Sequence, residues 1–415
     1  MRVAGMITEY NPLHMGHLRL VETIRQNLGR DTAVICCMSG DFVQRGDLAV
    51  VRRQARAKAA VMSGVDLVLE LPLPQCVSSA EGFAEGGVGL LLATGLLDTL
   101  VFGSERGDTA ALRETAAVLL RENFPAALRG ELAAGISYPA ARQRAVSKLA
   151  GDALADVLSR PNDLLGVEYC KSLLRRASDV HPLAVRREGA PHGQDISGDA
   201  GFPSSTAIRA LLRRGERAAA LSRMAPAMRA CYLEEEAAGR APVFYETVER
   251  AILYRLRSMS RADFAAFDDG REGLSNRLYD ASRDAVSVRE TLERAKTKRY
   301  PMSRLRRMIL WAALGLTERE RALRPAYLRP LAMSATGRKL LARMRTCAAL
   351  PVLTKAGDVS ALGSGAEALL RLEAKAADLY ALACPVAAAV TGQASAYRSA
   401  ALSGKSRLGL RTPPL

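Results

Sequence analysis

Seven cysteines, at 36, 37, 76, 170, 231, 347 and 384, are scattered along the chain without one C-x-x-C pair. Neither a zinc site nor a disulfide framework is expected from them. Cys36-Cys37 lies inside an apolar run, where free cysteine behaves as a small hydrophobe. No stretch of about 18 apolar residues occurs, which excludes a transmembrane helix. Glu9 and His14 interrupt the apolar start, so no signal peptide and no membrane partner are expected, and the expected compartment is the cytoplasm. Histidine is scarce too: there are 4 in 415 residues, and two of them fall within the tetrapeptide 14–17.

A hydrophobic share of 49% with 25% charged residues is that of an ordinary globular protein, long enough for two or three domains. The net charge of +16 is unevenly placed. Residues 1–210 carry 23 basic and 23 acidic side chains, whereas residues 211–415 carry 36 and 20. Within the second half, residues 294–345 hold 15 basic and 2 acidic side chains. A neutral half joined to a basic half suggests small-molecule chemistry delivered to a polyanion.

Short apolar runs at Val3–Ile7, Thr32–Met38, Asp66–Leu71 and Leu96–Phe102 alternate with segments of helical spacing. One such segment is Leu20, Val21, Ile24 and Leu28 with Gly29 as its cap, and Val50 to Ser63 before Gly64 is another. That alternation predicts an α/β domain with a doubly wound parallel sheet, Rossmann-like, whose ligands sit beyond the carboxyl ends of the strands. Residues 108–174 read as mostly helical with a break at Pro161-Asn162-Asp163, and Val180–Val185 reads as one more strand. Beyond about residue 220 strand signals vanish. A mainly helical basic region is expected there, including Thr247–Met259, Arg304–Gly315 and Gly365–Leu382. The resulting division is 1–218 for the nucleotide domain, 219–403 for the helical region and 404–415 for a disordered tail. Gly404-Lys405-Ser406 resembles the end of a P-loop, but Ser399 stands where its first glycine is required.

His14-Met15-Gly16-His17 follows the first strand run and opens a helix. A helix N-terminus offers unpaired N–H groups and a partial positive charge to phosphate. Gly16 removes a side chain where phosphate approaches the backbone, and two imidazoles can donate to oxygens whose charge grows in the transition state. H-x-G-H therefore marks His14 and His17 as candidates for attack at an α-phosphorus. The second motif, Ser204–Arg209 (SSTAIR), places hydroxyls and N–H groups at another helix start, with the Arg209 guanidinium less than two turns on.

Together these motifs resemble the nucleotidylyltransferase superfamily. Six longer blocks are more specific: GMITEYNPLHMGH (5–17), MSGDFVQRG (38–46), GVDLVLELP (64–72), FGSE (102–105), PNDLLGVEY (161–169) and KTKRY (296–300). In this order they resemble the bacterial tRNA(Met) cytidine acetate ligase family over roughly residues 1–310. The resemblance implies activation of acetate by ATP with Mg²⁺ as acetyl-adenylate. Acylation of the wobble cytidine of elongator tRNA(Met) to N4-acetylcytidine would follow. It also implies ATP contacts along Ile7, Thr8, Glu9, Tyr10, Asn11, Pro12, Leu13, His14, Met15, Gly16, His17, Leu18, Arg19 and Leu20. Further contacts are implied at Gly103, Asn162, Ser205, Thr206 and one of Arg186 and Arg187, of which Arg187 fits an R-x-G pattern. His14, His17 and Arg209 are the implied catalytic residues. No protein metal ligands are implied, although Glu9 is a candidate to position ATP or Mg²⁺. Two departures stand out: Pro-Ser-Ser-Thr replaces Ala-Ser-Ala-Thr, and the loop 189–201 lacks a Tyr-His-Asp.

Lys296, Lys298, Arg299, Arg304, Arg306 and Arg307 surround Tyr300, a pattern for phosphate binding with base stacking. Gln44-Arg45-Gly46 reads either as a group orienting acetate or a base, or as a plain turn. Asp66 and Glu70 share one strand face, where a structural role competes with a site role. Two other functions remain open on the residues alone. One is adenylylation of a small phosphate-bearing cofactor precursor, and the other is RNA binding on a decayed nucleotide fold.

Overall fold

In a computed structural model the chain is described at residues 1–187, 204–268, 273–354, 362–387 and 402–403. The expected strands form as β1 (Val3–Thr8), β2 (Ala33–Ser39), β5 (Leu67–Leu71), β6 (Thr99–Ser104) and β7 (His181–Arg186). Between β2 and β5 a two-stranded hairpin is made by β3 (Phe42–Val43) and β4 (Asp47–Leu48). The main sheet is completed by β8 (Pro330–Met333) and β9 (Leu402–Ser403), in the order β7-β6-β1-β2-β5-β8-β9.

β1 pairs in parallel with β2 from Val3↔Ala33 to Thr8↔Met38, and with β6 on its other side. The chain winds outward from β1 to β2 and β5, then returns across β1 to β6 and β7. The carboxyl ends of β1 and β6 therefore flank a switch point, the place where open α/β sheets hold ligands.

The strands read as continuous apolar runs because both faces are covered. Val3, Ile35, Cys37, Leu69 and Phe102 join one core with Phe83 and Tyr169, from the helices Ala80–Leu92 and Pro161–Arg175. Ala4, Met6, Val34, Cys36 and Met38 join the other with Val21, Ile24 and Ala57, from the helices Met15–Leu28 and Arg53–Met62. Both Cys36 and Cys37 are buried and unpaired, as small hydrophobes would be.

Two expectations need correction, and one open alternative is decided. Strand structure does not vanish after residue 220: β8 returns to the sheet and pairs antiparallel with β5. Pro161 opens a helix rather than interrupting one, since proline at a first helical position sacrifices no hydrogen bond. Of the two roles open to Glu70, the structural one holds: it does not line the cleft at the ends of β1 and β6. It meets Arg53 Nη1 at 3.0 Å and Arg329 Nη1 at 3.1 Å, and Arg329 also reaches Glu373 Oε2 at 2.8 Å. This buried cluster ties β8 and the helix Ser364–Leu382 to the end of β5. Asp66 is structural as well, accepting hydrogen bonds from Val34 N at 3.0 Å and Ser334 Oγ at 2.8 Å.

Past residue 218 the expected helices appear as Glu249–Arg257, Met302–Leu314 and Ser364–Leu382. The helix Pro226–Ala237 lies against Arg53–Met62, so the two halves of the chain interleave. The loop 189–201 and the tail 404–415 lie outside the described residues.

Candidate active site

The H-x-G-H segment is held by its own side chains. His14 is the N-cap of Met15–Leu28, and its Nδ1 accepts from Gly16 N at 3.1 Å. His17 Nδ1 in turn accepts from His14 N at 3.2 Å, and the two ring centroids lie 3.9 Å apart. Because each Nδ1 accepts from a backbone N–H, Nε2 is the ring nitrogen left to each histidine for other partners. Burial first, then the neighbouring His14 and the Arg187 charge, push the His17 pKa well below the usual imidazole value. His17 is therefore a neutral donor at physiological pH.

The loop before it is fixed from several directions. Tyr10 has a left-handed φ of +47°, and its buried ring stands edge-on to His17 at 5.0 Å. Arg209 Nη1 donates to Asn11 O at 2.7 Å, and Ser205 Oγ donates to Pro12 O at 3.0 Å. Ser204 caps its own helix by accepting from Ala207 N at 3.1 Å. The SSTAIR motif thus braces the first motif through two carbonyls, while Ser205, Thr206 and Arg209 also line the cleft.

At the ends of β6 and β7 two further blocks lock together. Glu105 Oε1 accepts from Asn162 Nδ2 at 2.6 Å, and Asp163 Oδ1 accepts from Ser104 Oγ at 2.5 Å. Asn162 Oδ1 accepts from Arg187 Nη1 at 3.2 Å. A Cβ on Gly103 would lie 3.2 Å from Arg187 Cγ, so the glycine lets that side chain cross. Both Arg186 and Arg187 line the cleft, and Arg187 is the one joined to Asn162.

These groups surround a cleft of about 970 Å³. Of the segment 7–20, Ile7, Thr8, Glu9, Tyr10, Asn11, His14, Gly16, His17, Arg19 and Leu20 line it; Pro12, Leu13, Met15 and Leu18 do not. Leu13 is core, 1% exposed, and Pro12 contributes its carbonyl to Ser205. The hairpin loop Gln44-Arg45-Gly46 reaches the cleft because Glu9 Oε1 accepts from Gln44 N at 2.8 Å. Gly46, at φ +74°, passes so close to the helix Met302–Leu314 that a Cβ would lie 2.5 Å from Arg307 N.

The basic segment divides. Lys296, Lys298, Arg299 and Arg306 are exposed, and Arg306 is on the cleft. Tyr300 is not available for base stacking: its ring is 4% exposed, with Arg304 at 5.5 Å and Arg299 at 6.0 Å from its centroid. Arg307 is buried as well, its Nη1 3.4 Å from Gln44 O. Arg307 belongs to the joint between this helix and the hairpin, and Tyr300 to the large core, rather than to a solvated face.

Arg56, wholly buried, braces loops of the site and is missed by sequence reasoning. It donates to Val51 O at 2.8 Å, Glu9 O at 2.5 Å and Ser39 O at 3.2 Å, and also to Gly40 O. One guanidinium so ties together the loops that leave β1 and β2. Its only trace in the sequence is an arginine where helical spacing calls for an apolar residue.

Among the described residues no helix is long and apolar enough to cross a membrane, and no three His, Cys, Asp or Glu residues cluster to hold a metal ion. The HIGH nucleotidyl transferase family model matches residues 1–394. A tRNA(Met) cytidine acetate ligase of Acetivibrio thermocellus is 35% identical over 395 residues, covering 92% of this chain and 94% of that protein. One of Fervidobacterium nodosum is 35% identical over 363 residues, covering 86% and 84%. Crystal structures of Thermotoga maritima TmcAL superpose with a TM-score of 0.90 in the apo form, at 31% identity over 95% of this chain and 98% of that one. With alpha-thio ATP bound the TM-score is 0.86, at 32% identity over 93% and 95%. With its paired histidines at the switch point of such a sheet, the chain belongs to the tRNA(Met) cytidine acetate ligase family of HIGH nucleotidyl transferases.

Proposed function

We propose that the chain is an ATP-dependent ligase that activates acetate as acetyl-adenylate and acetylates the wobble cytidine of elongator tRNA(Met). In the first step an acetate oxygen attacks the α-phosphorus of ATP, the bond to the bridging oxygen breaks, and pyrophosphate leaves. In the second step the exocyclic amine attacks the acetyl carbon, AMP leaves, and the amine proton passes to solvent. The observation that carries the reading is the pair of closely stacked imidazoles at the helix start, each with its Nδ1 occupied by a backbone N–H. Imidazole donors fixed beside a helix N-terminus stabilise growing phosphate charge without reorganising.

In this reading His14, Gly16 and His17 bind the phosphates, and Arg209 keeps the loop in place while adding charge. Gly103, Asn162 and Arg187 hold the nucleoside side. Residues 1–218 carry activation and 219–403 carry tRNA recognition, with Lys296, Lys298, Arg299 and Arg306 binding its phosphates. Glu9 is the one carboxylate lining the cleft among the described residues, so Mg²⁺ fits as an ion carried by the triphosphate rather than held in a protein cage. Bound there, it would neutralise phosphate charge.

The test is exchange of labelled pyrophosphate into ATP, with acetate present or absent, followed by analysis of tRNA for N4-acetylcytidine. Acetate-dependent exchange and acetylation of elongator tRNA(Met) are expected. Exchange driven by a phosphate-bearing acceptor instead would return the cofactor-precursor reading.

A further inference from the structure

The two walls of the cleft differ in chemistry. His14 and His17 approach from the sheet face covered by Met15–Leu28. From the other face come Ile7, Phe83, Phe102 and Tyr169, all on the cleft and all part of, or packed on, the core beneath the helices Ala80–Leu92 and Pro161–Arg175. Phe83 and Tyr169 are 3% and 5% exposed, so each shows the cleft only an edge. The recess is closed behind Ile7, where a Cβ on Gly87 would lie 2.7 Å from Ile7 Cδ1. Phe102 and Tyr169 brace one another with ring centroids 5.3 Å apart.

One polar group interrupts this apolar wall. The Tyr169 hydroxyl has no hydrogen-bond partner among the described residues, although the residue is almost wholly buried. Unlike the Tyr232 and Tyr245 hydroxyls, which are shut in without a partner among the described residues, this one is open and can exchange water for a ligand oxygen. Here the open side is the cleft.

We infer that Ile7, Ala80, Phe83 and Tyr169 form the acyl pocket, which takes the hydrocarbon end of a short-chain carboxylate while the Tyr169 hydroxyl donates to its non-attacking oxygen. The inference rests on the adenylate-forming reading above. In-line displacement at phosphorus places the attacking and leaving oxygens on opposite sides. Donors that bind the phosphates from the helix Met15–Leu28 side leave the opposite, apolar side for the attacking acid. Arg45 on the cleft supplies positive charge toward the anion, against the single negative charge of Glu9. Walls made of buried rings select by size, and each added methylene is discriminated about 10- to 200-fold in such pockets.

The test measures pyrophosphate exchange by the full-length protein with acetate, propionate and butyrate. Wild type is expected to favour acetate over propionate at least about tenfold, and Phe83→Ala to reduce that ratio by about tenfold or more. Tyr169→Phe should raise KM for acetate about tenfold, with ATP affinity and the acid ratio unchanged. Ala80→Leu narrows the pocket from a half-buried position at the helix start and should raise KM for acetate with ATP affinity kept; it decides the matter if Phe83→Ala does not fold. A folded Phe83→Ala with an unaltered acid ratio, or Ala80→Leu with an unaltered acetate KM, overturns the pocket. A rise in KM for ATP or tRNA in place of a changed acid ratio overturns it too, assigning the recess to a base. Absence of exchange by wild type with every carboxylate would instead remove the adenylation reading itself.

Discussion

His17 is expected to remain uncharged well into the acid range, and the consequence is measurable. Its ring is desolvated, its Nδ1 is taken by His14 N, and His14 and the Arg187 guanidinium both oppose a positive charge. The folded-state pKa therefore lies well below the value near 6.5 of the unfolded chain. Below that value the unfolded chain binds a proton that the folded protein refuses, so this residue costs stability as pH falls through about 6.5. Between pH 7.5 and 5.5 the loss approaches about 1.4 kcal/mol, the worth of one proton over one pH unit. With four histidines in the chain, a histidine-labelled sample can be followed ring by ring in an NMR titration, and His17→Gln assigns the signal by its loss. The His17 ring should hold its neutral, Nε2-protonated shifts down to pH 5.5. In parallel, urea midpoints at pH 7.5 and 5.5 should diverge less in His17→Gln than in wild type, by the equivalent of about 1 kcal/mol. A His17 signal titrating with a midpoint at or above 6.5 would refute the desolvated, neutral-donor picture.

His17→Ala is expected to lower acetate-dependent exchange by at least about 100-fold, as loss of one preorganised donor does, and near-normal exchange would take the histidine out of the reaction. Reversing Lys296, Lys298 and Arg299 to Glu, which are exposed and lie off the cleft, should weaken tRNA binding while leaving exchange within about twofold. The dependence of log affinity on log salt should also become shallower, by roughly 0.7 to 0.9 for each phosphate no longer neutralised. Unchanged salt dependence would place the tRNA elsewhere. Arg329→Met leaves Glu70 and Glu373 buried without the guanidinium they share, so a destabilisation of about 3–5 kcal/mol is expected in urea titration. A shift under about 1 kcal/mol would mean that the cluster contributes little to holding β8.

What could be read from the chain follows the range of the forces involved. β1, β2, β5 and the helices between them announce themselves because burial on both sheet faces writes short, mainly apolar runs, interrupted in β5 by Glu70, and because Gly29 and Gly64 stop the helices locally. β8 does not, since it is four residues long, begins with proline and follows an arginine. Its place depends on Arg329 meeting Glu70 and Glu373, partners 259 residues before it and 44 residues after it in the sequence. The same reason explains Arg56 and Arg307. Arg56 and Arg307 are of a charged type that composition assigns to the surface, and each is buried because a distant segment supplies carbonyls or a backbone to pack on, while Tyr300 is buried as a member of the large core. The basic stretch 294–345 thus mixes two populations. Exposed cations from Lys296 to Arg306 can meet a polyanion, while Arg307 and Arg329 are consumed in the fold. In the site, the H-x-G-H residues were legible because their partners are local, Nδ1 of each ring capping its own helix start. The apolar wall of Phe83 and Tyr169 was not, because in sequence a cleft-facing ring and a core ring carry the same signature. Only the open hydroxyl of Tyr169 separates the two.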